Sequence, residues 1–111
     1  MSTRHVVCRT DGPDLAFSGT LVAQVDSRER KTDMHEWTVL QLYRTDRNAY
    51  VAVRERWSED TSMRPGSMLP TIDWVEARAC PDSAAVIAWL GWSWLTRLLY
   101  ERGGIVPQER V

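Results

Sequence analysis

The histidines and cysteines are the residues best suited to metal binding or nucleophilic chemistry, and their spacing leaves each set incomplete. His5 and Cys8 lie three residues apart with no second pair of ligands, whereas a zinc site needs four donors, or three and a water. His35 and Glu36 start the pattern of a metalloprotease helix, but its second histidine is absent. The sequence therefore predicts neither a metal nor a cofactor.

Linear catalytic motifs are missing from this chain. It contains no Gly-x-Ser-x-Gly, no phosphate-binding glycine-rich loop and no Cys-x-x-Cys. The acidic pairs Glu59–Asp60 and Asp11/Asp14 fall in polar segments, where solvated charge is the ordinary interpretation. With two histidines there are few candidates for a general base near neutral pH. We predict a protein that is not an enzyme, and keep a small enzyme without a linear motif as an alternative.

Arginine and tyrosine side chains share one face of a predicted β-hairpin, as in proteins that bind single-stranded nucleic acid through a sheet. This candidate anion or nucleic-acid surface consists of Arg44, Tyr50, Arg54 and Arg56. The formal net charge of −1 and the absence of an RNA-binding signature count against the interpretation. An exposed sheet face carrying solvated arginines is the simpler alternative, and nucleic-acid binding is a secondary hypothesis.

A tryptophan-rich helix is predicted over 83–102. Asp82 is a suitable N-cap, and Gly103–Gly104 is typical of a helix C-terminus. On a helical wheel the predicted core face carries Ile87, Leu90, Trp94, Leu95 and Leu98, with Ala84 and Gly91 beside it. The opposite side carries Trp89, Ser93, Thr96 and Tyr100, flanked by Trp92 and Leu99.

A helix that is apolar on nearly all sides needs cover on both of its faces. The cover can come from the chain itself, through the loop 58–70 or the N-terminal strand. It can also come from a protein partner or a second copy, or from a membrane surface. The uncharged stretch 83–96 is shorter than the about 20 residues that span a bilayer, and it lacks the basic polar face of an interfacial helix. We predict a protein partner or homodimer at Trp89, Trp92, Thr96 and Tyr100, and no membrane span.

Alternating apolar residues predict the strands. Over 15–25 the period-two pattern places Leu15, Phe17, Gly19, Leu21, Ala23 and Val25 on one face. Gly19 within this strand predicts a bulge or a close approach to a neighbouring backbone. The segment 71–80 is predicted as a fourth strand, with a short helix as the alternative.

The segments 37–45 and 49–57 predict a hairpin with a short turn, in which Asn48 adopts the left-handed conformation. Its register places Tyr43 opposite Val51, and Trp37 opposite Trp57. One face then carries Trp37, Val39, Tyr43, Val51, Val53 and Trp57, with Gln41 and Glu55 among them. The other carries Leu40, Leu42, Tyr50 and Ala52, rimmed by the arginines of the candidate nucleic-acid surface.

Length and composition favour a single folded domain. The chain has 111 residues, of which 43% are hydrophobic and 26% charged, which is ordinary for a globular protein. We predict an α+β fold in which a four- or five-stranded antiparallel sheet packs against one long C-terminal helix. The domain is predicted to span 1–104, followed by an extended tail over 105–111.

The N-terminal sequence does not read as a secretory signal, so the expected location is the cytoplasm. In that reducing compartment, Cys8 and Cys80 are expected to be free thiols.

Part of the chain resembles a known group of proteins. The residues Phe17-x-Gly19-x-Leu21-x-Ala23, followed by Tyr43-Arg44-Thr45 and Tyr50-Val51, resemble a segment of small uncharacterised bacterial proteins of the EXLDI-motif type. The resemblance covers 17–53, and this chain has no EXLDI tail. It implies a bacterial accessory protein, of the kind carried on mobile elements, and no activity.

These observations together predict a small non-catalytic module that binds another protein or itself through its tryptophan-rich helix. They identify neither the partner nor the pathway.

Overall fold

The computed structural model describes residues 2–31, 35–60 and 69–105, and it shows an antiparallel sheet with two helices on one face. The strands are β1 (Thr3–Val7), β2 (Leu15–Asp26), β3 (Glu36–Thr45), β4 (Tyr50–Asp60) and β5 (Leu69–Cys80), and the helices are α1 (Ser83–Leu90) and α2 (Trp94–Gly103). Each strand pairs with its neighbours in chain order, β1-β2-β3-β4-β5. The α+β class and the antiparallel sheet are confirmed.

The β3–β4 hairpin has the predicted register. Tyr43 lies opposite Val51 and Trp37 opposite Trp57, and Asn48 in the turn has a φ of 60°. The segment predicted as a fourth strand is a strand, β5. The predicted loop 58–70 is shorter, because β4 continues to Asp60 and β5 begins at Leu69. Its remaining residues, 61–68, lie outside the described part of the chain, so the alternative in which this loop covers the helix is not addressed by the structure.

A β-bulge in β2 overturns the prediction that its apolar residues share one face. The register of β2 against β3 shifts between Leu21 and Ala23, which leaves Val22 as the extra residue. A one-residue insertion in a strand moves all later side chains to the other face. Phe17 therefore packs in the cluster on the face away from the helices, whereas Val25 belongs to the cluster beneath them.

The close approach predicted at Gly19 is confirmed. A Cβ placed there would lie 2.3 Å from the carbonyl oxygen of Arg44 on β3. Only a residue without a side chain allows the two backbones to lie this close.

The sheet is curled, so that the chain following β1 reaches β5 at the opposite edge. The backbone N–H of Thr10 donates to the carbonyl of Val75 at 2.6 Å, and the guanidinium of Arg9 donates to the carbonyl of Ala77 at 2.8 Å. These bonds satisfy part of the free edge of β5, which would otherwise offer unpaired groups to another strand.

Two short helices replace the single long helix that was predicted, and this prediction is wrong. The chain breaks at Gly91, whose φ of 78° and ψ of −153° are incompatible with a continuing helix. Ser93 then caps α2, because its side chain accepts from the N–H of Thr96, while the Thr96 hydroxyl accepts from the N–H of Ser93. This reciprocal capping box starts a second helix with its own phase.

The predicted helix ends are confirmed. The side chain of Asp82 accepts from the N–H of Ala85 at the start of α1, and Gly104 ends α2 with a φ of 72°. Ile105, the first residue of the predicted tail, is buried in the helix-side core with 5% of its surface exposed, and the rest of that predicted tail, 106–111, lies outside the described residues.

The new phase changes which side chains the helices bury. Leu99 and Tyr100 are fully buried, with 0% and 1% exposed, although the wheel placed them away from the core face. Trp94, assigned to the core, is 39% exposed, and Leu98 is half-buried. The helix-side core joins Leu99 and Tyr100 to the sheet and also includes Ala23, Val25, Leu40, Leu42, Ala52, Cys80 and Val86.

The C-terminal end of α2 is tied by an ion pair to the short 3-10 helix Ser27–Glu29 that follows β2. The guanidinium of Arg102 lies 2.6 and 2.9 Å from the carboxylate of Glu29, and it also donates to the carbonyl of Gln24 at 3.0 Å. The hydrogen bonds from Arg102 lower the pKa of Glu29 below its ordinary value.

Candidate functional site

A groove lies where the helices leave the end of the sheet uncovered. Its two adjoining cavities, of about 480 and 590 Å³, share the residues Thr38, Arg54 and Arg56. Trp94 lines the cavity on the helix side, and Trp74 lines the cavity on the side of β5. We call the two adjoining cavities together the groove; Glu76 also lines it. Each cavity has the size of a typical ligand pocket.

The alternation of the strands places these side chains on one face. Arg54 pairs with Leu40 and Arg56 with Thr38, so both arginines point to the helix side of β4. Trp74 lies opposite Arg56 on β5, immediately beyond a bulge in that ladder. β4 thus carries the floor of the groove, and the neighbouring β5 carries one of its walls.

The break between the helices supplies the other wall. Since Gly91 turns the chain and Ser93 restarts the helix, Trp94 is the first residue of α2 and remains 39% exposed. The guanidinium of Arg30 lies 5.1 Å from its ring centroid, a cation–π contact that holds the indole at the surface.

Charges of both signs line the groove. The guanidinium of Arg54 donates to both carboxylate oxygens of Glu76, at 2.9 and 3.3 Å. This contact lowers the pKa of Glu76, with smaller contributions from Trp74 and Arg56. Among the described residues, Arg56 has no ion-pair partner, so its charge is free to meet a bound group.

The Arg54–Glu76 ion pair makes stability depend on pH. Because the folded-state pKa of Glu76 is lowered, its contribution is present above the unfolded carboxyl pKa of about 4.3 and is lost as the pH falls through the folded-state value. We expect Glu76→Gln to lower the free energy of unfolding at neutral pH by less than about 1 kcal/mol, since the pair is partly exposed. Urea unfolding across the acidic range checks this.

The matched control is Glu36→Gln, an exposed carboxylate at the start of β3 with no ion pair to any described residue. This variant should follow the wild type at every pH. A destabilisation by Glu76→Gln that persists unchanged in acid would show that the ion pair is not its cause.

Of the four predicted partner-binding residues, one has a side chain that is mostly exposed to solvent. Trp92 is 60% exposed, whereas Thr96 and Tyr100 are 5% and 1% exposed and cannot contact a partner in this fold. Trp89 is half-buried between Arg54 and Arg78, whose guanidinium carbons lie 5.3 and 5.7 Å from its ring. The predicted surface is thus divided between core and exterior.

Tyr100 has a structural role at the helix break. Its buried hydroxyl donates to the carbonyl oxygen of Gly91 at 2.7 Å, so Tyr100→Phe leaves that carbonyl without its partner. We expect the free energy of unfolding to fall by about 1–2 kcal/mol, measured by chemical denaturation. Tyr50→Phe is the control, because the half-buried hydroxyl of Tyr50 forms no hydrogen bond within the described ranges. Equal effects of the two substitutions would contradict the role given to Tyr100.

The four residues of the predicted nucleic-acid surface do not form one surface. Arg44 lies near Tyr50, with its guanidinium carbon 6.0 Å from the ring, at the turn end of the hairpin. Arg54 and Arg56 lie towards the other end, in the groove. Between the two pairs, Leu42 and Ala52 are completely buried by the helices. The groove also carries the carboxylates of Glu36, Asp73 and Glu76 along its length, and these would repel phosphates.

Trp74 and Trp94 are the exposed residues that the sequence did not indicate as a site. Trp74 was placed in a predicted strand without a surface role, and Trp94 was assigned to the core. The available signal for Trp94 was Gly91-Trp92-Ser93, a glycine followed by a good N-cap residue, which together favour a helix break.

The histidines and cysteines lie apart from the groove. His5 stacks on Phe17, with ring centroids 5.2 Å apart, and His35 lies at the surface 3.9 Å from the carboxylate of Glu59. Cys8 is exposed and Cys80 is buried, both as free thiols. Within 2–31, 35–60 and 69–105, no three His, Cys, Asp or Glu residues cluster as metal ligands, and no helix is long and apolar enough to cross a membrane.

Comparison with known proteins gives no relative for this arrangement. No protein-family model, no curated protein and no solved structure matches the chain. The resemblance over 17–53 to bacterial proteins of the EXLDI-motif type therefore remains a resemblance.

Proposed function

We propose that this protein is a small non-catalytic interaction module that self-associates through the groove. The observation that carries the proposal is the exposure of Trp74 and Trp94, at 44% and 39%, on opposite sides of a floor that contains Arg54 and Arg56. Tryptophan and arginine are the residues most enriched among those that dominate binding energy at protein interfaces. Contiguous apolar surface that stays exposed on a soluble protein often marks an interaction site.

The composition of the groove suits a second copy of the same chain. A two-fold interface brings a surface against itself, so that surface must complement its own chemistry. The groove offers indole faces, the carboxylate of Asp73 and the guanidinium of Arg56, which forms no ion pair with any described residue. An arginine of one copy can stack on an indole of the other or pair with its carboxylate.

We also propose a bacterial origin and a cytoplasmic location for the protein. The resemblance over 17–53 supports a bacterial accessory protein, of the kind that mobile elements encode. The free thiols of Cys8 and Cys80 fit a reducing cytoplasm.

Light scattering across a range of protein concentrations tests the proposal. We expect the wild-type mass to rise towards that of a dimer, and Trp94→Ala to weaken association at least about tenfold, since a buried tryptophan anchor contributes 2 kcal/mol or more. Trp74→Ala should have the same effect. Both side chains are partly exposed, so the fold tolerates their loss.

The matched control is Leu21→Ala, which removes an apolar side chain that is 42% exposed on the sheet face away from the helices. This variant should associate like the wild type. A wild-type protein that stays monomeric at every concentration, or a Leu21→Ala variant as weak as Trp94→Ala, would contradict the proposal.

A further inference from the structure

A second cleft opens on the sheet face away from the helices. It has a volume of about 480 Å³ and is lined by side chains of β2, β3 and β4, among them Trp37, Trp57, Gln41 and Glu55, together with Arg28 and Pro70. This size suits a small molecule. The cleft shares with the groove only Trp37, which is 3% exposed.

Two parallel indoles form the aromatic part of this cleft. The rings of Trp37 and Trp57 have centroids 6.2 Å apart and an interplanar angle of 9°. The guanidinium carbon of Arg28 lies 4.1 Å from the centroid of Trp37, so the stack already holds one cation. Trp57 is half-buried and presents the remaining indole surface to the cleft.

The charges around the indoles leave one carboxylate unpaired. The carboxylate of Asp26 forms an ion pair with Arg28, whose guanidinium nitrogens lie 2.7–3.2 Å from the carboxylate oxygens. The two charges therefore cancel. Glu55 accepts from the indole N–H of Trp57 at 3.4 Å, a long contact. No lysine, arginine or histidine of the described chain lies within ion-pair distance of Glu55, so the cleft carries one uncompensated negative charge.

Other groups nearby support this electrostatic picture. Burial, and to a smaller extent the negative charge of Glu55, raise the pKa of Tyr43 on the same sheet face. The amide of Gln41 donates to the side-chain oxygen of Gln24 at 3.0 Å, which leaves the amide N–H groups of Gln24 and the carbonyl oxygen of Gln41 as further hydrogen-bonding groups beside the carboxylate.

We propose that this cleft binds a small organic cation, with an ammonium group paired to Glu55 and an apolar body lying on Trp57. A carboxylate beside an indole face favours a cation twice, through the ion pair and through the cation–π interaction. An anion would meet the charge of Glu55, and a neutral apolar ligand would bury that carboxylate without a partner. The proposal is independent of self-association, since it uses the opposite face of the sheet.

Titration with 2-phenylethylamine, followed by NMR of the indole N–H signals, tests the proposal. We expect the signals of Trp57 and Trp37 to shift, while those of Trp74 and Trp94 stay in place. The neutral 2-phenylethanol and the anionic 3-phenylpropionate have similar bodies, and each should bind at least about tenfold more weakly, as expected for the loss of a charge-assisted hydrogen bond.

Glu55→Gln keeps the shape of the side chain and removes its charge, so binding of 2-phenylethylamine should weaken at least about tenfold. Glu101→Gln, an exposed carboxylate on α2 that lines neither the groove nor the cleft, is the matched control and should bind like the wild type. Equal affinity for the amine and the alcohol, unchanged binding by Glu55→Gln, shifts confined to Trp74 and Trp94, or no shift at all would each overturn the proposal.

Discussion

Gly19→Ala is expected to lower the free energy of unfolding by about 3 kcal/mol, the upper end of the usual cost of overpacking. A methyl group at this position would lie 2.3 Å from the carbonyl oxygen of Arg44 and 2.9 Å from the Cα of Thr45. Both atoms belong to the backbone of β3, which cannot move aside as a side chain can. The substitution therefore forces β2 and β3 apart where they pair. Chemical denaturation measures the loss.

Gly12→Ala is the control for this prediction. Its added methyl would meet the guanidinium end of the half-buried Arg9 side chain at 3.0–3.2 Å, and no backbone atom. This flexible end can give way by a few tenths of an ångström. We expect a change within about 0.5 kcal/mol, as for ordinary surface substitutions. A Gly19→Ala variant as stable as Gly12→Ala would show that the two strands do not approach as closely as the structure indicates.

Leu99→Ala is expected to cost about 3 kcal/mol, in the range measured for leucine truncation in well-packed cores. Leu99 is 0% exposed and packs between α2 and the sheet. Its neighbour Leu98 is only half-buried, and we expect Leu98→Ala to cost about 1 kcal/mol, in proportion to the smaller area it removes from water.

The pair of leucines also tests the corrected phase of the helix. Both substitutions change helix propensity equally, so their difference reports burial alone. A single continuous helix would bury Leu98 and leave Leu99 at its flank. If unfolding measurements show Leu98→Ala to be the more damaging variant, the break at Gly91 and the phase of α2 are wrong.

Local chemistry explains why much of the fold can be read from the sequence. The β3–β4 register follows from a short turn with Asn48 in the left-handed conformation, which leaves one way to pair the alternating residues on either side. The ends of the helical region follow from the capping residue Asp82 and from Gly104. Each of these features depends on a few neighbouring residues.

The β2 bulge shows where local pattern is insufficient. Its extra residue, Val22, is a good strand former, and nothing in its type indicates a bulge. The face change between Phe17 and Val25 becomes favourable only because β2 serves two cores, one within the curl of the sheet and one beneath the helices. A period-two pattern assigns all of these residues to a single face and therefore misses the change of face within β2.

Missing the helix break has the larger effect on the predicted site, because the wrong helical phase assigns several side chains to the wrong environment. Gly91 was read as a small residue within a continuous helix, although its φ is 78°. The wheel consequently placed Trp94 in the core and Tyr100 at a partner surface, and the structure places each in the opposite environment. Arg54 and Arg56 were correctly grouped, since both lie on a strand whose alternation was simple.

Self-association through the groove is tested most directly by NMR of the indole N–H signals of the six tryptophans in dilute and concentrated samples. We predict that the signals of Trp74 and Trp94 shift as the concentration rises, while that of Trp57, which lines the cleft on the other face of the sheet and not the groove, does not move. Spectra that are identical at both concentrations, or shifts that spare Trp74 and Trp94, would contradict the proposed function.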